Sequence, residues 1–163
     1  MIIYHLLTFN SNGRIWPFVQ GYWAQAASRH GQVDIFHEEF KKLLQLAQMN
    51  STFAEFYELS GTFPSIRRRQ LWSASGYLSM VYHGLFGMEF LPDGIRFNPV
   101  KPSDTFSDVI SLSNVHYRDM ILNIEVSGAG KEISSFSVDG KSQDSFLDAS
   151  VTGVHDIQIE LKQ

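Results

Sequence analysis

TFAEFYELSGTFPSIRRRQLWSASGYLSMVYHGLFG, residues 52–87, decides how the chain is read. It opens with a carboxylate among aromatics, Glu55 in FAEFYE. It turns at Ser60-Gly61 and again near Pro64, then runs on through Leu71, Trp72, Ala74, Tyr77, Leu78, Val81, Tyr82, Leu85 and Phe86. At helical spacing these side chains leave almost no polar stripe. A helix apolar all round is expected to be enclosed by other protein. What would enclose it in a chain of 163 residues is the question the remaining sequence has to answer.

Working back from this run, residues 33–49 show one apolar and one wet face. Val33, Phe36, Phe40, Leu43, Leu44 and Ala47 recur at helical spacing, and Glu38, Glu39, Lys41, Lys42, Gln45 and Gln48 cover the other side. This helix belongs on the outside, with Asp34, Glu38 and Glu39 on or near water, and Asn50-Ser51-Thr52 ends it. Before it, Pro17 disfavours helix at Trp16 and suits the first turn of a helix. That helix runs to about Arg29 and closes at Gly31, a good C-terminal cap. Residues 1–19 otherwise read as extended or irregular, with a turn at Asn10-Ser11-Asn12-Gly13. Ile15, Trp16 and Phe18 make an exposed loop improbable there. An outer helix, a loop holding a carboxylate and an inner helix together form the repeat unit of a helical toroid, although no repeat is visible in the sequence itself.

Working forward, the pattern changes at Pro92-Asp93-Gly94. Short alternating runs replace helical spacing: Ile95–Phe97, Ile110–Leu112, Met120–Val126, Ile133–Val138 and Val154–Leu161. Gly128-Ala129-Gly130 and Asp139-Gly140 serve as turns, the latter a strong hairpin signal. Five or six short strands at such spacing predict a small antiparallel β-sandwich. The fold class is therefore segregated α+β, with helical hairpins over 1–92 and an antiparallel β-domain over 93–163. Leu91 to Ser103 bridges the halves, and its Phe97, Pro99 and Val100 predict a packed bridge, not a loose tether.

Composition narrows the function. The net charge of −4 offers no basic field for a polyanion, which excludes nucleic acid as an expected partner. Arg67-Arg68-Arg69 reads as a solvated turn or an ion-pair site. There are no cysteines, hence no disulfide, thiolate metal site or thiol nucleophile. The start, MIIYHLLTFN, is too short and interrupted for a signal peptide, and no apolar run reaches membrane-spanning length. His5, His30, His37, His83, His116 and His155 are scattered, and none falls at the four-apart spacing of a helical zinc site. His83 reads as a core or supporting residue. No phosphate loop or nucleophile elbow is present, so neither metal nor cofactor is expected. Thirteen Phe, six Tyr and three Trp are concentrated in the first ninety residues, serving either a helical core or flat faces for sugar rings.

Glycoside hydrolysis needs two carboxylates flanking a sugar, one acting as acid and the other as base or nucleophile. In the helical half, Asp34, Glu38 and Glu39 belong to the wet helix and Glu89 faces solvent at the end of the apolar one. Glu55 and Glu58 remain, with Phe53, Phe56, Tyr57 and Trp72 around them. An acid in apolar surroundings has its pKa raised and can move protons near neutral pH. The residues alone leave a second role open: Glu55 as a helix cap or as the partner of an arginine from Arg67–Arg69.

RIWPFVQGYWAQAA (14–27), FAEFYELSGT (53–62) and RQLWSASGYLSMVYHGLFGMEFLPDGIRFNPVKP (69–102) together resemble the C-terminal part of bacterial six-hairpin glycosidases. These are (α/α)6-barrel glycoside hydrolases related to the α-glucosidase, α-rhamnosidase and amylo-α-1,6-glucosidase groups. Their last hairpins carry an E-[FYN]-Y segment, a Gly turn and a Q-x-W-S/T-A helix, and a DG-[IL]-x-F-x-P link leads into a terminal β-domain. The resemblance covers essentially the whole chain. It implies that Glu55 is the general base of an inverting mechanism, that Tyr57 follows it as in the motif, and that Trp72 lies beside the reacting sugar. Trp16, Gln20 and Trp23 would help line the cleft. The implied partner is an oligosaccharide or glycoside, and the implied location periplasmic or secreted. A full toroid has far more helices than this chain supplies, and the family's general acid comes from an earlier hairpin. The chain alone is thus expected to be inactive or nearly so, and to meet either the missing barrel portion or another copy of itself. The alternative expectation is a non-catalytic carbohydrate-binding or assembly module.

Overall fold

A computed structural model of the chain describes residues 13–63, 68–103 and 106–162. The expected turns at Asn10–Asn12 and near Pro64, together with His5 and Arg67, lie outside the described residues. The architecture is mixed α+β with the helices first and the sheets after.

Helix α1 (Pro17–Arg29) starts on its proline, as Pro at the first helical position predicts, and closes where Gly31 takes φ +63°. After a short turn α2 (Val33–Asn50) packs back against it and stops at Ser51, which adopts the left-handed conformation. Helix α3 (Leu71–Ser79) then continues as a π-helical turn over Met80–Leu85. Phe18 stacks on Trp72 with centroids 5.0 Å apart, and Gly21 lies against Gly76. These pairs climb both helices in the same direction, so α1 and α3 are parallel. A Cβ on Gly21 would stand 2.6 Å from the Gly76 backbone, so the two axes are as close as glycines allow. Across the bundle, the Phe36 ring of α2 rests on Gly84 in the same way.

One feature of the helical half differs from the sequence-based expectation. Glu39 is not on the wet face but fully buried with Phe36, Phe40 and Leu43. It stands three residues from Phe36 and four from Leu43, the spacing of the core stripe itself. Among the described residues the apolar run is only partly covered. Ser73, Gly76, Met80, Gly84 and Leu85 are buried, whereas Leu71 is 87% exposed and Trp72 and Leu78 are close to half exposed.

The β half forms two sheets. Strands β1 (Met88–Leu91), β2 (Gly94–Phe97) and β7 (Phe146–Asp148) make an antiparallel sheet. The other sheet has the order β3 (Val109–Tyr117), β4 (Met120–Ser127), β8 (Gly153–Leu161), β5 (Ile133–Val138), β6 (Lys141–Ser142). The Asp139-Gly140 hairpin joins β5 to β6 with both residues at positive φ, as a type I′ turn requires. The second sheet is mixed and not wholly antiparallel: β8 slots between β4 and β5, parallel to the first and antiparallel to the second. Met120, Leu122, Ile124 and Val126 of β4 and Ile157, Ile159 and Leu161 of β8 turn inward, with polar residues between them. The two sheets meet through contacts such as Phe97 of β2 against Phe136 of β5, 5.6 Å apart.

The bridge is packed, as its composition predicts. Phe97, Pro99, Val100 and Lys101 are buried. The Lys101 backbone exchanges two hydrogen bonds with Gly130, and its ammonium donates to the Gly128 carbonyl at 2.6 Å. Burial pushes that amine below its ordinary value. One hydrophobic cluster runs from Phe36 and Phe40 through Leu85 and Phe86 to Ile95, Ile124 and Ile159, so the core is continuous across the bridge.

At the far end of the sandwich His155 ties the β5–β6 turn to β8. Its Nδ1 lies 2.8 Å from Asp139 Oδ2, and Asp139 Oδ1 accepts the Asp156 backbone N–H at 2.9 Å. The hydrogen bond to Asp139 raises the imidazole above its usual range. The Asp156 N–H, and next to it His155, lower the Asp139 carboxyl. Stability from His155 is fully present below the free imidazole value of about 6.5 and is lost as pH rises through the raised one. Stability from Asp139 is present above the free carboxyl value and is lost as pH falls through the lowered one. Urea titrations are expected to give the wild type a small midpoint loss between pH 6 and 8.5 that His155→Gln lacks. Parallel curves would rule out this contact as a contributor.

Candidate functional site

The loop after α2 is held by its own backbone before any chemistry is considered. Ile15 and Tyr57 exchange two backbone hydrogen bonds of 2.8 Å, so the entry to α1 and the FAEFYE segment form one small antiparallel bridge. The Tyr57 hydroxyl donates to Thr52 O at 2.8 Å and accepts the Ala54 N–H at 3.1 Å. Those bonds span residues 52–57, and Glu55 lies between their anchor points. The Gln70 N–H reaches back to Phe53 O at 3.0 Å and ties the start of α3 to the same loop. Glu55 is thus carried on a short, doubly anchored segment and is only 8% exposed.

The segments beside it are linked by aromatic rings. Trp16 lies 5.3 Å from Phe56 and 5.9 Å from Phe18, and Phe18 stacks on Trp72. Phe56, Trp16, Phe18 and Trp72 therefore form a continuous ladder from the carboxylate loop to the first turn of α3. Arg14 covers Phe56 with its guanidinium 4.1 Å from the ring centre, and its Nε donates to Glu58 at 3.1 Å. Arg14 thus pairs with Glu58. Among the described arginines of the RRR turn, Arg68 lies 5.9 Å from the Phe63 ring.

No protein-family model matches the chain, and no curated protein does.

The residues singled out from the sequence separate into three groups. Trp16, Glu55 and Tyr57 are brought together by the bridge. Trp72 joins them through Phe18 and keeps almost half its surface open. Tyr57 is fully buried and its hydroxyl is occupied by backbone, so its observed work is to shape the Glu55 segment. Gln20 is buried and Trp23 half-buried. The Gln20 amide donates to Glu39 O at 2.9 Å, while Gln20 Oε1 and the indole nitrogens of Trp16 and Trp23 have no partner among the described residues. Among the described residues no group of three or more His, Asp or Glu is gathered as a metal ion would need. No helix among them is long and apolar enough to cross a membrane.

Sequence reasoning passed over two residues. Glu39 is a buried carboxylate whose oxygens make no hydrogen bond within ordinary geometry. Lys42 reaches Glu38 at 2.7 Å but stays 3.9 Å from Glu39. Burial pushes the Glu39 carboxyl up, and nearby Lys42 pulls it partly back. The folded state therefore resists ionising it. The penalty is absent below the free carboxyl value and grows as pH rises through the raised one. Glu39→Gln is expected to stabilise the fold at pH 7 by about 1–3 kcal/mol, because the amide carries no charge to desolvate, and to change little at pH 4, where the carboxyl is also neutral. Urea unfolding at the two pH values measures this, and a less stable variant at pH 7 would mean the carboxylate is well paired. The second residue is His83, on the π-helical turn. Its Nδ1 lies 2.7 Å from Met88 O. A carbonyl can only accept, so Nδ1 carries the proton, and in the neutral ring Nε2 is left as an acceptor.

Proposed function

We propose that this chain is the closing arc of an (α/α)6-barrel glycoside hydrolase together with its terminal β-domain, and that Glu55 activates the attacking water in an inverting reaction. The observation that carries this reading is the arrangement of the three helices. Two parallel helices lie side by side with the antiparallel one against their other face, the inner–outer–inner order of such a toroid. The face of α1 and α3 turned away from α2 is left apolar and open, with Tyr22 70% exposed beside Leu71, Trp72 and Leu78. Patches of that kind on a soluble protein mark a surface that another element covers. The buried carboxylate loop sits at one end of the parallel pair, flanked by the aromatic ladder a sugar ring would stack against.

In this reading Glu55 is the base, held in place by the Ile15–Tyr57 bridge and the Tyr57 hydroxyl. The proton donor comes from an earlier hairpin. The test is complementation: the chain mixed with the hairpins that complete the toroid should gain hydrolysis of aryl glycosides, and neither part should have it alone. Glu55→Gln should abolish that gain with the fold intact. Saccharide binding by the chain with no activity under any complementation would favour the non-catalytic module.

A further inference from the structure

We infer that Arg14 is a positioning residue for Glu55: it fixes the twist of the segment that carries the carboxyl, and so the direction in which Glu55 points. The inference rests on the glycosidase reading and adds a residue to which that reading gives no role.

The backbone leaves one freedom to be removed. Ile15 and Tyr57 form an isolated bridge, a single residue pair joined by two hydrogen bonds of 2.8 Å. In a longer ladder the neighbouring pairs would stop two segments from rocking about one another. Among the described residues this bridge has no such neighbours. The Tyr57 hydroxyl ties residues 52–57 to one another, not to the segment before α1. Glu55 stands two residues from the bridge, so any rocking there carries the carboxyl with it.

Arg14 supplies the missing constraint. It precedes Ile15, and it reaches the residues on both sides of Tyr57. Its guanidinium lies over the Phe56 ring, 4.1 Å from the centre, and its Nε donates to Glu58 at 3.1 Å. One planar group therefore holds a point before the bridge and a point after it. Both points are themselves set. Phe56 is 3% exposed and also meets Trp16 at 5.3 Å. Glu58 opens a turn in which its N–H donates to Thr62 O at 2.8 Å and its carbonyl accepts the Gly61 N–H at 2.9 Å. Glu55 immediately precedes Phe56, so holding that ring fixes the residue beside it. A lysine ammonium is a point charge that could keep Glu58 but not cover the ring, whereas the flat guanidinium does both. The Arg14 and Glu58 side chains are 38% and 43% exposed, so the pair adds little to global stability and its effect is local.

The test uses the completed enzyme and an aryl glycoside, with Arg14→Met, Arg14→Lys and Glu58→Gln. Arg14→Met is expected to lower kcat about tenfold, what a cation–π contact and an exposed ion pair contribute together, and to leave KM within about twofold. Arg14→Lys keeps the charge beside Glu58, and Glu58→Gln keeps the cover on Phe56, so each should lose only part of this. A double-mutant cycle decides between positioning and mere support. With azide as the nucleophile, Glu55→Gln needs no base, and adding Arg14→Met should change that turnover by less than about twofold. A residue that only held the fold together would lower it as well. Equal losses in the two backgrounds, or an unchanged kcat in Arg14→Met, would overturn the inference. In the chain alone, exchange of the Tyr57 and Glu58 amides should quicken in Arg14→Met while that of the α2 amides holds, and unchanged exchange would also overturn it. These results leave the catalytic reading standing as long as Glu55→Gln abolishes attack by water. Full activity of Glu55→Gln is the separate result that sinks the catalytic reading, and the inference with it.

Discussion

Glu55→Gln in the completed enzyme is expected to lower kcat for an aryl glycoside by about 10²–10⁴-fold, the range that a positioned proton acceptor contributes. The substitution preserves shape and removes only the ability to take a proton from water. KM should change little, because the acceptor matters once water attacks and not when sugar binds. Azide makes the assignment sharper. It brings its own negative charge and needs no base, so it should restore turnover in the variant and give a glycosyl azide of inverted configuration. A glutamate that merely shaped the loop would behave otherwise: its replacement would lower Tm, and azide would restore nothing. The loop anchors provide an internal comparison. Tyr57→Phe removes the bonds to Thr52 O and Ala54 N but no reacting group. Its loss should therefore be smaller than that of Glu55→Gln, and azide should not recover it.

Much of this arrangement was legible because local rules and tertiary packing agree. Pro17 and Gly31 mark the ends of α1, the Asp139-Gly140 turn makes its hairpin, and the alternation in Met120–Val126 and Ile157–Leu161 sorts inside from outside as read. What escaped was non-local. The alternation of β8 is the same whether its neighbour runs parallel or antiparallel, so nothing in Val154–Leu161 announces that the last strand slides between β4 and β5. The short strands β1, β6 and β7 are too brief to build a period. Glu39 was misplaced for another reason. Its charge was read as a vote for solvent, although its spacing from Phe36 and Leu43 put it in the core stripe. For the candidate site, the sequence marked Glu55 and its aromatic company, but not how closely the two parallel helices meet. That contact depends on Gly21 and Gly76 facing each other across the helices, which leaves no pattern along the chain.

Gly87 is where the helical half becomes the sandwich, and Gly87→Ala is expected to be the most destabilising single methyl in the chain's described part. Two effects combine. Gly87 has φ +60°, which costs a residue with a Cβ about 1–2 kcal/mol. That Cβ would also stand 2.0 Å from Asn98 C and 2.1 Å from Pro99 N. These are backbone atoms of the bridge, already tied in place by Asn98 N–H to Gly87 O at 2.8 Å and Val100 N–H to Gly84 O at 2.9 Å. No rotamer change relieves such a contact, and forced overpacking adds roughly 1–3 kcal/mol. The sum, about 2–5 kcal/mol, is a large part of a typical domain's stability. Gly140→Ala separates the two contributions: Gly140 has φ +75° but nothing within 4 Å of its added Cβ, so only the conformational cost of about 1–2 kcal/mol should remain. Urea unfolding followed in two ways extends the test to the bridge itself. All three tryptophans lie before residue 88, so their fluorescence reports the helical half, and exchange of the β4 and β8 amides reports the sandwich. With one core running through Phe86, Met88 and Ile95, Gly87→Ala should move both transitions together. If fluorescence moved and the strand amides kept their protection, the two halves would be folding as separate units.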